Sequence, residues 1–387
     1  MNKKLRALAV VLPQFHPIPE NDEWWGKGFT EWTNVAKTVP LFEGHYQPHI
    51  PADLGFYDLR LEESRIAQAD LAKKYGIHGF CYYHYWFHGK QLLERPVNEI
   101  VETGKPDFPF CLCWANESWS RNWNGENNRV LQAQEYSESD HLSHIRFLLG
   151  IFKDRRYIKV NGRPFFIVYR CEAIPDLKRV LGIWNIEAKR AGFENGLYLV
   201  SADRWFKGDP RTLGFDSSWD FLPIHSEPIH SESNKAISKK RQVVQKIIRS
   251  NVILRGANKV RRHLIKYLNE KKTKGDFVRL YSAVVNSNLQ NYPDISRVWK
   301  EYPCVCPGWD NSPRRKTGAI ILHGSTPDLY EKWLDNTCEK FEPYSEEENF
   351  IFLNAMNEWA EGNHLEPDLK WGLKYLEATK RVLKKYL

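Results

Sequence analysis

Two glutamates at i and i+3, Glu358 and Glu361, follow an apolar run at Phe350–Asn354 in the stretch Asn-Ala-Met-Asn-Glu-Trp-Ala-Glu-Gly. If this segment makes a helical turn, both side chains share one face, with Cβ atoms about 5–6 Å apart. Retaining glycosidases hold two carboxyls about 5–5.5 Å apart. Like charges that close push one pKa upward, which turns two identical groups into one acid and one base. Glu-x-x-Glu is common on solvated helices. Here Asn357, Trp359 and Gly362 surround it, and the run before it is apolar.

Other polar-aromatic clusters also follow apolar runs. They include Pro-Gln-Phe-His with His16, Tyr-His-Tyr-Trp-Phe with Tyr83, His84 and Tyr85, and Trp-Ala-Asn-Glu-Ser-Trp with Trp114, Asn116, Glu117 and Trp119. Arg121 and Trp123 continue the last of these. Asp203 lies in Ala-Asp-Arg-Trp, Trp309 and Asp310 in Pro-Gly-Trp-Asp-Asn, and Trp25, Glu31 and Trp32 in the stretch after His16. Sugar rings present apolar C–H faces to aromatic planes, while their hydroxyls need paired donors and acceptors. Interleaved Trp, Asn, Glu and Arg suit that ligand, whereas a core would not accept so many polar groups. The expected site is therefore Glu358 and Glu361 as catalytic groups, with the other residues named here, Asn357 and Trp359 among them, around an oligosaccharide or polysaccharide.

Positioning these residues requires a frame. Eight apolar, strand-like runs recur: Ala7–Leu12, His78–Tyr83, Phe110–Trp114, Phe165–Tyr169, Tyr198–Ser201, Ser218–Leu222, Cys304–Pro307 and Phe350–Asn354. Several are continuously apolar, as strands buried on both faces are. Helical patterns separate them at Leu59–Tyr75, His141–Phe152, Pro175–Ala191, Pro327–Phe341 and Leu369–Leu387. Alternation of this kind predicts an α/β fold, a (β/α)8 TIM barrel, as a single domain over 1–387. The clusters then fall on the C-terminal rim, where barrel active sites sit. Two connections exceed simple turns: a long loop after the first strand, Pro13–Asp58, and a basic helical insertion over 225–290.

Composition narrows the class. At 42% hydrophobic and 27% charged, the chain is neither disordered nor fibrous. No apolar run approaches the ~20 residues of a membrane span. The net charge of +8 is local: Asn234 to Lys274 holds 14 Lys or Arg against one acid, Glu270, which leaves the remainder acidic. That pattern argues against a nucleic-acid-binding body and for one anionic contact. A stripe of Val243, Val244, Ile247 and Ile248 flanked by Lys and Arg can lie on an anionic membrane surface or meet a lipid-linked glycan, although a solvated helical insertion would look the same. Five of seven cysteines sit in apolar runs and read as buried thiols of a reducing compartment. The start, Met1 to Leu12, imitates a signal peptide but reads as a buried strand, and the expected location is cytoplasmic, with peripheral contact at the inner membrane through 234–274. No Asp-x-Asp clamp, phosphate loop, Gly-x-Gly-x-x-Gly or His-Glu-x-x-His is present, so neither a cofactor nor a metal is expected. His84 and His88 sit among aromatics that favour packing over metal binding.

The stretches Pro13–Pro17, Trp24–Val35, Tyr82–Gly89, Trp114–Gly125, Gly308–Arg315 and Asn354–Asp368 together resemble the WbsX family, which is similar to glycoside hydrolase family 99 and occurs in surface-polysaccharide and O-antigen biosynthesis. The resemblance implies a (β/α)8 barrel and a carbohydrate-active site. In family 99 the first Glu of a Glu-x-x-Glu pair deprotonates the sugar 2-hydroxyl, which attacks its own anomeric carbon to give a 1,2-anhydro sugar. The second protonates the leaving oxygen and then activates the incoming water. By motif, Glu358 takes the first role and Glu361 the second. Opening by water gives hydrolysis and opening by a sugar hydroxyl gives transfer. The alternatives are a glycosyltransferase using an activated donor and a catalytically silent glycan-binding scaffold.

Overall fold

Strand β1 (Arg6–Val11) lies inside the sheet path, between β2 (Gly79–Phe87) and the strand Phe350–Leu353. On the β2 side follow β3 (Phe110–Trp114), β4 (Arg163–Val168), β5 (Tyr198–Ala202), β6 (Ser217–Trp219) and β7 (Glu301–Tyr302). On the other side β9 (Phe350–Leu353) pairs with β8 (Cys304–Val305). The pairs along this path are parallel. A computed structural model describes residues 3–120, 130–202, 206, 208–223, 277–293, 297–315 and 317–386. Arg121, Trp123, Asp203 and the basic segment 234–274 lie outside the described residues.

The result is a nearly closed barrel of nine parallel strands. Eight staves were expected, and the ninth arises because stave seven is divided. β7 and β8 are separated by Pro303, which has no N–H to give but whose carbonyl accepts from Phe352 N at 2.8 Å. β7 faces β6 and β8 faces β9, so the two ends of the path meet across one proline. All nine residues of β2 are buried, the signature of a strand covered on both faces. Gly79 is required at its start, since a Cβ there would lie 2.7 Å from the Pro109 carbonyl oxygen.

The expected helices form with shifted ends: α3 (Glu62–Lys74), α5 (Glu138–Phe152), α6 (Leu177–Arg190), α8 (Pro327–Lys340) and α9 (Lys374–Leu383). Ser137 caps α5 by accepting from Asp140 N, and Thr326 caps α8 by accepting from Leu329 N. The long loop after β1 carries two short helices, α1 (Pro19–Trp25) and α2 (Glu31–Ala36). A further helix, α4 (Arg95–Thr103), follows β2 and ends on left-handed Gly104. Residues 277–290 are the part of the expected insertion over 225–290 that the structure describes. Phe277–Leu280 pairs in parallel with Ile320–His323, and α7 (Tyr281–Asn291) buries Tyr281, Val284 and Val285.

Candidate active site

The site grows from three loops at the C-terminal ends of neighbouring strands. After β9, Asn357–Glu358 pairs antiparallel with Asn363–His364, and a 3-10 turn, Trp359–Glu361, joins them. The turn closes on left-handed Gly362, where a Cβ would press to 3.0 Å on Asp310 Cβ. The helical turn expected for the Glu pair thus takes the tighter form, with Glu358 as its cap. After β8, Trp309 to Arg315 brings in Arg314. After β1, α2 brings in Glu31.

Arg314 is the hub. Its Nη2 lies 2.8 Å from Glu358 Oε2, its Nη1 2.7 Å from Glu361 Oε1, and its Nε 3.1 Å from Glu31 Oε2. The remaining oxygen of Glu31 accepts from Gln14 Nε2 at 2.8 Å. Three carboxylates therefore meet one guanidinium in a place nearly closed to water, and one positive charge cannot balance three negative ones. Burial, then the neighbouring charges of Glu361 and Glu31, push Glu358 up to about 8 against the pull of Arg314. Burial likewise raises Glu31. Arg314 is held well above its usual value by the three carboxylates, which outweigh its burial.

Toward the end of β2, Tyr83 and Tyr85 face this centre, while His84 and Trp86 stack on His144 of α5 on the other face. Burial first, then the charge of Glu358, raises the Tyr83 and Tyr85 hydroxyls well above their usual range. Tyr85 meets Trp119 edge-on at 5.1 Å, and Trp119 meets Trp24 at 5.9 Å. Trp25 and Arg314 share the wall of a groove of about 520 Å³, together with Phe29, Lys37 and Arg315. Asp310 donates its backbone N–H to the Glu361 carbonyl, and its carboxylate accepts from His45, Gln47 and the Ser312 N–H. Burial would raise Asp310, but these donors prevail and hold it below its ordinary value.

The other residues singled out from sequence have different surroundings. His84 turns outward onto His144, with ring nitrogens 3.0 Å apart, and burial pushes it down to about 3. Trp114 is fully buried under α5 and α6 and donates to the Trp86 carbonyl. Trp32 donates to the Tyr57 carbonyl and packs on Phe15 and Trp359. Trp359 donates to Glu366 and stacks on His364 at 3.7 Å. Asn116 ties the loops after β3 and β4, accepting from Arg170 N and donating to the Arg170 carbonyl and Tyr136. Asn357 continues the β1 ladder by accepting from Leu12 N and donating to its carbonyl. Glu117 lies 3.4 Å from Arg170. His16 donates through Nδ1 to the Pro13 carbonyl, and burial lowers it to about 4. Trp309 is buried, and its indole N–H has no partner among the described residues. All seven cysteines are free and buried.

The family model described as glycosyltransferase WbsX matches residues 7–379. This chain belongs to the WbsX family. WxcX, an uncharacterised protein of Xanthomonas campestris pv. campestris, is 38% identical over 378 residues, which cover 97% of this chain. The chain spans about half the length of that relative, 49%. Among solved structures, a family 99 endo-α-mannosidase from Bacteroides thetaiotaomicron aligns over 98% of this chain and 97% of its own, with TM-score 0.54 and 13% identity. A glycoside hydrolase-like protein aligns over 99% and 94%, with TM-score 0.58 and 10% identity. These likenesses establish the barrel. In the WbsX chain, the residues of the candidate site that sequence reasoning missed are Arg314 and Gln14. Their signal was present in Asn-Ser-Pro-Arg-Arg after Asp310 and in Pro-Gln-Phe-His, where attention went to His16. No helix among the described residues is long and apolar enough to cross a membrane.

Proposed function

We propose that this WbsX chain cleaves or transfers glycosidic bonds of a surface glycan such as O-antigen, with Glu358 and Glu361 as its reacting groups. The observation that carries the reading is the joining of both carboxylates by Arg314 at the C-terminal rim, with Glu358 displaced up to about 8. Glu358 removes the proton of the sugar 2-hydroxyl as that oxygen attacks the anomeric carbon. Glu361 delivers its proton to the departing oxygen. In the second half, Glu361 takes a proton from the incoming water or sugar hydroxyl as it attacks the anomeric carbon, and Glu358 returns its proton to the ring-opened oxygen. A raised pKa strengthens Glu358 as a base whenever it is ionised. Arg314 is the positioning residue: it fixes the two carboxylates and must yield part of its contact to substrate. Tyr83, Tyr85, Trp119 and Trp25 supply aromatic and hydroxyl surface for sugar rings. The glycan is lipid-linked, and segment 234–274 brings the enzyme to the cytoplasmic face of the membrane.

The test uses purified protein, lipid-linked and released glycan, and ¹⁸O water, read by mass spectrometry. Glycan shortened with ¹⁸O at a new reducing end, and unchanged with Glu361→Gln, establishes hydrolysis. Extended or rearranged glycan without ¹⁸O establishes transfer. Glycan bound but unaltered by both proteins would overturn catalysis in favour of a binding module.

A further inference from the structure

Behind the Glu pair, His49 from the β1 loop faces His364 and Asp368 from the loop after β9. His49 Nδ1 and His364 Nε2 lie 2.8 Å apart, and Asp368 Oδ2 lies 3.8 Å from His364 Nε2. The opposite nitrogen of each ring points at a backbone carbonyl: His49 Nε2 at Tyr46, 3.1 Å away, and His364 Nδ1 at Glu366, 2.8 Å away. A carbonyl only accepts, so each of those nitrogens carries the ring's proton. In neutral rings the two inward nitrogens are then both lone pairs, aimed at each other with a carboxylate beside them. Such an arrangement repels itself unless a cation lies between. The rings are also braced from behind: Tyr46 stacks on His49 at 4.2 Å and Trp359 on His364 at 3.7 Å. Ring N–H groups committed to backbone carbonyls, with bare nitrogens converging, are the usual outer support of metal-binding histidines.

We infer that His49, His364 and Asp368 form a binding site for one first-row divalent metal ion of the Zn²⁺ type. Their ligand atoms all lie within 4.8 Å of one another. A tetrahedral ion with bonds of about 2.0–2.1 Å holds its ligand atoms about 3.3 Å apart, so the rings need to part by roughly half an ångström and the Asp368 carboxylate, 3.8 Å from His364 Nε2, needs to close in. A cavity of about 90 Å³ adjoins the three side chains and leaves room for water as a fourth ligand. Two imidazoles and one carboxylate suit zinc or cobalt better than calcium or magnesium, which prefer oxygen. The ion would clip the β1 loop to the hairpin that carries Glu358 and Glu361, because His364 is the register partner of Asn357. It would act as a brace, independently of which reaction the Glu pair performs.

The experiment takes the full chain, strips it with chelator, and titrates it with Co²⁺ and then Zn²⁺. The expected result is a visible cobalt absorption band that saturates at about one ion per chain and is displaced by zinc. The thermal midpoint should rise with Zn²⁺ and fall back with chelator. His49→Gln and Asp368→Asn should each weaken cobalt uptake by at least about 100-fold, the upper end of what losing even an outer partner costs. Absence of a band, with a thermal midpoint indifferent to zinc, would overturn the inference and leave a shared proton between the rings. Undiminished uptake by both variants would overturn it as well. The titration of the unaltered chain is decisive even if a variant fails to fold.

Discussion

Two buried carboxylate sites lie within a few residues of each other in the loop after β9, and they are built on opposite principles. Glu366 is surrounded by neutral donors: Tyr57 gives its hydroxyl at 2.8 Å, Gln68 its amide at 2.6 Å and Trp359 its indole N–H at 2.6 Å. Burial still pushes it up to about 7, because hydrogen bonds alone do not replace water around a charge. Around Glu358 the partner is a full cation, but three carboxylates compete for it. Glu366 is satisfied and anchors α3 and the β1 loop. The Arg314 centre is contested, and contested charge is what proton transfer draws on. Burial and a raised pKa are common to both sites, so neither alone marks a functional one.

The sharpest way to break this contrast is Glu361→Gln. Turnover should fall about 10³-fold, within the range for losing a general acid–base group, while glycan affinity measured by calorimetry stays within a few-fold. Glu366→Gln should leave turnover nearly intact, since the amide keeps an acceptor for Tyr57, Gln68 or Trp359. Equal losses in both variants would erase the distinction.

Next in size is Arg314→Met. It leaves buried carboxylates without their cation, and stability should drop by about 3–5 kcal/mol in urea melts at neutral pH. The loss should shrink in acid, where the carboxylates take up protons. A loss that is the same at pH 5 and pH 8 would mean that Arg314 serves packing and not charge.

Rate against pH sharpens the roles within the pair. If Glu358 is the base, kcat/KM should climb with pH through an apparent pKa near 8, the value to which burial and its neighbours push it. Glu31→Gln removes one neighbouring negative charge and should move that rise to lower pH. A rate that instead falls through the same range would exchange the roles of Glu358 and Glu361.

The smallest effect is on stability against pH. Glu358 and Glu366 both bind protons more tightly folded than unfolded. Folding is therefore favoured below their ordinary value near 4.5 and loses that contribution as pH rises to about 7 for Glu366 and about 8 for Glu358. Glu366→Gln should flatten the decline between about 4.5 and 7 and leave the part up to 8. A decline unchanged in Glu366→Gln would mean that Glu366 stays ionised.

Much of the frame was legible because strands buried on both faces read as unbroken apolar runs, as in Gly79–Phe87 and Phe350–Leu353. The divided seventh stave was not, since one proline inside an apolar run does not announce which neighbour each half will face. The order of the clusters along the chain placed the rim, but it gave no side-chain direction. Trp114 and His84 therefore read as sugar contacts, although the pleat turns them toward α5. Asn116 and Asn357 read the same way, although both complete backbone hydrogen bonds that the chain itself leaves open. Arg314 escaped notice because an arginine in a Pro-rich loop reads as solvated. Its burial depends on carboxylates 283 and 44 residues away.

The pairing of β1 with β9 also bears on how the molecule is made. Residues Arg6 and Phe350 sit side by side in register, so β1 waits for a partner that is synthesised well over 300 residues after it. Until β9 arrives, β1 has an open edge, and Glu31 and Arg314 lack the hairpin that completes their cluster. The acid pair enters the centre only as the barrel shuts. A chain stalled before residue 350 would therefore be a sticky, unfinished sheet without an active site, and the demand for chaperones should be greatest in that interval.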